Sequence, residues 1–550
     1  MAKSDPSRAG RVKAFKPKVI TGCKTCKARR IKCDEAKPVC VPAASVPWQS
    51  QHLISDKQVM ANASPSIQTF PCFTLLKSKL EQRSFSFFYQ NTVPQLSSIV
   101  GSPSWKQLNR LLLQAAHHEP AVRHAAVALG ALHENFETRP YLLPDSMSKS
   151  LVSEFAIQQY VKALGYLTNP ATDRNKLSTD VALITCILFV CFENLRGEYS
   201  TALSHINGGM KIIEKIVETS EMPVSPKFPD TLSPSSSQSP PSSTSSLSIS
   251  QNPYVTLSSL SLVFIEFYVP ASGLTSNRNH VRLTRKFDMP SSDYGFIIPA
   301  EFSSADEACL ALDYIRTTGI RMSDTALRKQ TSANLKELRV TLDQVHTFSS
   351  TRMKEWSRAL SRFLTTNPDM ENERSILMLK MHHTFMGINT AVGKIGLVPD
   401  ECVFDSFITM FKRIVELCSK IIAAESNLER PRRIFCLDTG IITALFIVAT
   451  KCRDGPTRWK AHEILISSDR QEGILNSILT ARVAKRVIEI EETGLKQPVF
   501  AADLPGFRRL AGVEVDFGQD SKQATVRLLR RSPLAGPPAP QQSIEETWEL

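Results

Sequence analysis

Four cysteines, Cys23, Cys26, Cys33 and Cys40, fall within eighteen residues of polar and basic sequence. So little apolar side chain surrounds them that no hydrophobic core is at hand in which reduced thiols would be buried. The Cys-x2-Cys pair lets one tight turn present two thiolates, and Cys33 and Cys40 complete a tetrahedral shell of the kind Zn2+ prefers. Between Cys26 and Cys33 run Lys27, Ala28, Arg29, Arg30, Ile31 and Lys32. A short helix there, held at both ends by metal ligands, presents an almost wholly cationic face. Lysines and arginines on such a face neutralise phosphates, and an arginine in a groove also reads guanine through O6 and N7.

The charge distribution points to the same end of the chain. Residues 1–33 hold eleven Lys and Arg against the single acid Asp5, a surplus of ten out of a net +13 over 550 residues. A polyanionic partner therefore meets this segment, which is equally suited to serve as a nuclear-import signal. The other eight cysteines (Cys72, Cys186, Cys191, Cys309, Cys402, Cys418, Cys436 and Cys452) are scattered singly, most of them in apolar segments. This usage predicts a reducing compartment without a disulfide framework. No apolar leader follows the start, and the longest apolar runs, Val181–Phe192 and Gly440–Thr450, fall short of the ~20 residues a bilayer span needs. They are expected to be buried helices of a soluble, intracellular protein.

Residues 1–20 are expected to form a disordered basic arm, 21–40 the metal-binding segment, and 41–72 a linker with Pro42, Pro47 and Pro65 and no heptad pattern. Helical periodicity dominates from about residue 73 and defines a first helical part over 73–222. Leu111, Leu112, Ala115 and Ala116 make one stripe; Pro120 opens a second with Val122, Ala125, Ala126, Leu129 and Leu132. Phe155, Tyr160, Ala163, Leu164 and Leu167 suggest a third. Val181–Phe192 is apolar nearly all round, is closed by Gly197, and is followed by Ala202–Ile213 as a hairpin partner. Residues 223–252 are a Ser/Pro tract expected to be disordered. A second helical part spans 253–530. Its stripes are Trp356–Leu364, then Phe404, Phe407, Ile408, Phe411, Ile414, Val415 and Cys418, and finally Ile474–Ile490. Val513–Phe517 and Ala524–Leu529 alternate like a terminal hairpin, and 531–550 is expected as a flexible tail.

The cysteine segment resembles the Zn2Cys6 binuclear cluster of fungal transcription factors. The likeness covers Cys-x2-Cys-x6-Cys-x6-Cys, the basic run before Cys33, Asp34 after it, and Lys37-Pro38 before Cys40. It implies zinc as cofactor, Cys23, Cys26, Cys33 and Cys40 as ligands, and a basic helix in the major groove at CGG triplets. Residue by residue, Arg29 and Arg30 would face bases, with Arg30 favoured, while Lys27 and Lys32 approach phosphates. The body is similar to the regulatory region of the same family. Four pieces carry that likeness: Leu112–Pro120 with Arg123, His124 and Ala125; Glu193–Gly197 with Ala202, His205 and Gly208; Cys452-Arg453-Asp454 with Arg458; and Arg470-Gln471-Glu472-Gly473.

The cluster departs from its pattern after the fourth cysteine. Ala43 stands where the fifth belongs, and Ser50, Gln51 and His52 fill the window for the sixth. Four thiolates still suffice for one zinc, and nothing in their spacing recruits His52 or Cys72. Three readings stay open: a mononuclear remnant, a cluster that no longer binds DNA, or a sequence altered just after Cys40. The abrupt change at Val41 favours the last.

No P-loop, no G-x-G-x-x-G after a strand, no G-x-S-x-G and no H-E-x-x-H occurs, so an enzyme is not expected. His117, His118, Glu119 and His124 are read as capping and core groups rather than metal ligands. Glu193, Arg196 and Arg453 are read as ion pairs tying hairpins together. The fold expected is mostly α: a small N-terminal zinc-cluster module, then a large all-α helical-hairpin regulatory domain. The function expected is nuclear, sequence-specific transcription regulation. Its partners would be DNA and, through the helical body, the transcription machinery or co-regulators, with no membrane. Lacking a heptad run after the cluster, the chain would bind as a monomer or dimerise through the body.

Overall fold

The computed structural model describes residues 75–96, 103–138, 149–168, 178–220, parts of 253–267, 297–328, 335–395, 400–426, 433–437, 440–518, 522–530 and 542–549. The arm, the cysteine segment, the linker and the Ser/Pro tract lie outside the described residues. Residues 76–550 fall into one unit.

Helix α1 (Lys79–Phe87) opens with a capping box. Ser78 Oγ accepts the Glu81 amide at 3.1 Å, and the Glu81 carboxylate accepts the Ser78 and Lys77 amides at 3.2 and 2.8 Å. The chain continues through a π-helical turn, Phe88–Thr92, into a short turn, Val93–Leu96. Helices α2 (Pro103–His118) and α3 (Pro120–Thr138) are separated by Glu119 alone. Pro120 has no N–H to extend the first helix, but its fixed φ suits the first position of the second. Arg123 then reaches back and donates to the last carbonyls of α2, Ala116 at 3.0 Å and His117 at 2.7 Å.

Helix α4 (Lys149–Thr168) packs on α3, and α5 (Thr179–Arg196) pairs with α6 (Tyr199–Ser220). As its all-round apolar sequence predicts, α5 is central: every residue from Thr179 to Asn194 except Cys186 is buried. Gly197 ends it at φ +78°, a conformation that favours glycine, and its N–H returns to Asn194 O.

A second group comprises α7 (Ala305–Arg328), α8 (Leu335–Thr366) and α9 (Arg374–Ile395). They close around Trp356, which is buried and donates its indole N–H to Ala308 O at 2.7 Å. A third group is α10 (Ile408–Ser426), α11 (Ile442–Lys451), α12 (Gly455–Ser468) and α13 (Ser477–Glu492). Phe411, Ile414, Cys418, Leu445 and Val448 form its core. Phe404 and Phe407 do not belong to α10 as their spacing suggests. They lie in a 3-10 turn, Glu401–Phe407, tightened by the Cys402 amide donating to Asp400 Oδ1. Likewise Ile474 and Leu475 precede α13, which starts where Asn476 Oδ1 accepts the Ile478 and Leu479 amides.

The expected all-α body also contains two three-stranded sheets. In the first, β1 (Ile434–Cys436) is parallel to β2 (Arg470–Glu472), which is antiparallel to β3 (Leu475–Asn476). In the second, β4 (Leu510–Phe517) and β5 (Gln523–Arg530) form the expected antiparallel hairpin, with Val515 opposite Val526. The segment expected as a tail supplies its third strand, β6 (Gln542–Glu549), with Trp548 opposite Ala524. This sheet buries Val515, Val526, Leu528 and Trp548 against Val483 and Val487 of α13, which is why β6 is held. Among the described residues no helix is long and apolar enough to cross a membrane.

Candidate functional site

The residues to which the sequence assigns metal and DNA chemistry are Cys23, Cys26, Cys33, Cys40, Lys27, Arg29, Arg30 and Lys32. All eight lie outside the described residues. As a donor set, four thiols match one tetrahedral zinc and fall two short of the six needed for a pair. Among the described residues no group of His, Cys, Asp and Glu is arranged to hold a metal ion. His124 Nδ1 bonds Gln159 Oε1 at 2.7 Å, His118 stacks on Tyr254, and Glu119 accepts from the Tyr254 hydroxyl at 3.2 Å. His124 joins α3 to α4, and His118 and Glu119 tie the α2–α3 junction to the bend at Tyr254.

The most concentrated charge in the described body is buried between the 401–407 turn, α11, α12, α13 and β4. Arg453 and Glu491, both with fully buried side chains, pair at 2.9 Å; Arg453 also reaches Glu401 at 3.2 Å. Arg458 takes the second Glu491 oxygen at 2.9 Å, and donates to Ala449 O and to Glu492. Lys451 donates to both Glu401 oxygens and to the carbonyls of Leu510 and Ala511. Beside them Arg509 grips Asp405 through two bonds of 2.7 and 2.8 Å. Burial alone would raise the Glu491 carboxyl, but Arg453 and Arg458 outweigh it and hold the group below its ordinary value. For Lys451 burial prevails over Glu401, and the ammonium is pushed down.

A second buried network explains the Arg470-Gln471-Glu472-Gly473 run. Arg470 pairs with Glu425 and, at 3.1 Å, with Glu472; Arg374 approaches Glu425 from α9. The Glu472 carboxylate accepts the amides of Ile441 and Ile442 at 3.0 and 2.8 Å, so it caps the positive end of α11. Gly440 is required beside it, since a Cβ there would run into that carboxylate. Gln471 bonds Gly473 O and Asn476, closing the β2–β3 turn.

The Glu193–Gly197 piece has a similar role. Glu193 pairs with Arg196 at 2.8 Å, and its carboxyl is pushed up by burial in spite of that cation. Tyr160 of α4 bonds His205 of α6 at 3.0 Å across α5 and stacks on Phe192. Burial lowers His205, so the ring joins helices in its neutral form. The four pieces that carry the body's resemblance are thus helix junctions, caps and buried ion pairs. Sequence reasoning anticipated pairs at Glu193, Arg196 and Arg453. It missed Glu401, Glu491 and Glu425, because an acid at the start of a turn or near the end of a helix carries no spacing signal for a partner distant in sequence.

Residues 84–264 match the profile of the fungal specific transcription factor domain. Over 86% of its length the chain is 22% identical to 87% of the aspercryptin biosynthesis cluster-specific transcription regulator atnN of Emericella nidulans. A shorter stretch of 108 residues, 19% of this chain and 26% of the other, is 32% identical to the transcription regulator lscL of Purpureocillium lilacinum. No solved structure matches. The proteins to which this chain is similar are fungal regulators of transcription and not enzymes.

Proposed function

We propose that the chain is a nuclear, zinc-dependent, sequence-specific DNA-binding regulator of RNA polymerase II genes that reads CGG-type sites. One juxtaposition supports the reading: a Cys-x2-Cys-x6-Cys-x6-Cys segment with a cationic insert precedes a body matched to a fungal transcription factor domain. Cys23, Cys26, Cys33 and Cys40 hold the metal, Arg29 and Arg30 face bases, and Lys27 and Lys32 contact phosphates. Zinc binding supplies the folding free energy that a twenty-residue polar segment lacks. The helical body contacts co-regulators or the transcription machinery, and the chain binds as a monomer or dimerises through that body.

Ala43 and the Ser50-Gln51-His52 window favour a second reading, a regulator that acts through protein contacts alone. Zinc content of the purified full chain and binding to a CGG duplex separate the two. One zinc per chain, with CGG preference lost in Arg30→Ala, is expected. No zinc and no binding would leave the protein-contact regulator, and unchanged CGG preference in Arg30→Ala would refute the role given to that arginine.

A further inference from the structure

Helix α8 buries Met353, Trp356, Leu360 and Phe363 on one side and turns the opposite side to solvent. Lys354, Arg358 and Arg362 stand on that outer side, all exposed, at i, i+4 and i+8. At 3.6 residues per turn they lie within about 80° of one another, at intervals of about 6 Å along the axis. Between Gln344 and Thr366 there is one acid, Glu355, and it pairs with Arg352 on the flank at 2.9 Å. Among the described residues no acid pairs with Lys354, Arg358 or Arg362, and Arg362 donates to Ala300 O at 3.0 Å. Thr347, Ser361 and Thr365 share the face and turn their hydroxyls inward to carbonyls of the helix itself. Acids recur past its ends, at Asp343 before the row and at Glu301 and Asp369 after it.

The helix dipole does not account for this row. Its pull on cations is confined to the last turn, and the last turn of α8 holds no basic residue. The face also lacks what a protein partner would grip. No large apolar side chain is exposed between Gln344 and Thr366, whereas protein interfaces are anchored by aromatic and apolar groups. A row of cations with neither an apolar anchor nor an internal counter-charge is matched by a polyanion whose own charges stand in a row. The phosphates of a nucleic-acid backbone meet that description.

We propose that the outer face of α8 is a second, sequence-independent DNA contact, in which Lys354, Arg358 and Arg362 neutralise phosphates of the duplex. The choice of DNA as the polyanion rests on the DNA-binding reading of the cysteine segment; the cationic face does not. A contact of this kind holds the chain on the duplex and adds affinity without reading bases.

Binding of the full chain to a CGG duplex and to a scrambled duplex of equal length, followed across salt concentrations, tests the contact. Lys354→Gln/Arg358→Gln changes two exposed side chains and is expected to keep the wild-type circular dichroism and melting temperature. Its slope of log K against log salt is expected to be shallower by about two, at roughly 0.9 per phosphate. Both duplexes weaken by the same factor, so CGG preference is kept. Lys460→Gln/Lys485→Gln removes as much charge from ammonium groups that pair with Glu463 and Glu489, and is expected to leave the slope unchanged. A slope unaltered by Lys354→Gln/Arg358→Gln, or altered equally by the control pair, would overturn the proposal. So would a Lys354→Gln/Arg358→Gln chain that binds both duplexes as the wild type does but loses binding to poly-glutamate, which would assign the face to an acidic protein segment. A wild type without CGG preference whose slope still falls in the variant would refute the sequence-specific reading and leave the α8 contact standing. No binding to either duplex would refute both.

Discussion

Glu491 is where three donors converge: Arg453 at 2.9 Å, Arg458 at 2.9 Å and the Leu510 amide at 2.8 Å. Two guanidinium groups and a main-chain N–H satisfy a carboxylate that water does not reach, so the desolvation cost is met only while all partners stay. Glu491→Gln keeps the shape and removes the charge that two buried cations share, leaving Arg453 with Glu401 alone and Arg458 with Glu492 alone. A loss of about 3–5 kcal/mol is expected, measured as a shift in denaturant midpoint at constant m-value. Because the folded carboxyl is depressed, its contribution is full above the ordinary value of 4.5 and fades as pH falls through the folded value. His382 gives a separate, earlier step. Burial and the Arg316 charge push its imidazole down to about 4, with Asp313 opposing. The unfolded chain therefore takes up a proton below about pH 6.5 that the folded chain refuses, and stability falls between there and about pH 4. The drop is expected to be about 1–3 kcal/mol in pH-dependent thermal melts, and absent in His382→Gln.

Elements were legible in the sequence where burial imposes a period. The stripes around Ala115, Val122, Phe189, Trp356 and Phe411 mark α2, α3, α5, α8 and α10, and the alternation at Val513–Phe517 marks β4. Where polar contacts shape the chain, period gives no warning. The residues of β2 are Arg470, Gln471 and Glu472, which are buried because ion pairs and amide bonds neutralise them. In β6 the inward residues are Ile544, Glu546 and Trp548, with Glu546 held by Arg486 and Trp548 lying 4.8 Å beneath the Arg482 guanidinium. Two apolar residues in eight do not read as a strand. Trp548→Ala is expected to lower stability by about 3 kcal/mol or more, since it removes both the packing on α13 and the cation–π contact. Hydrogen exchange is expected to rise selectively in β5 and β6, and an unchanged pattern would mean that β6 contributes nothing to the sheet. The helix-joining roles of His124 and His205 became visible only with their partners Gln159 and Tyr160.

Across the whole molecule, the part matched to the fungal domain is tied to the rest by contacts distant in sequence. The Phe435 amide of β1 donates to Gln95 Oε1 across 340 residues, and Leu437 N–H reaches Leu96 O. His133 of α3 lies against the Phe435 ring, and Tyr199 of α6 against Phe517 of β4. Loop-closure entropy is met before such contacts return anything, so they form late and slow the search. During synthesis the first helical layer leaves the ribosome tens of seconds before its distal partners exist, at about 5–20 residues per second. In that interval the surface destined for Phe435 is open to chaperones and to other nascent chains. Production of this chain is thus expected to be a kinetic contest between capture and completion, with a yield that responds to temperature and chaperone supply as well as to final stability.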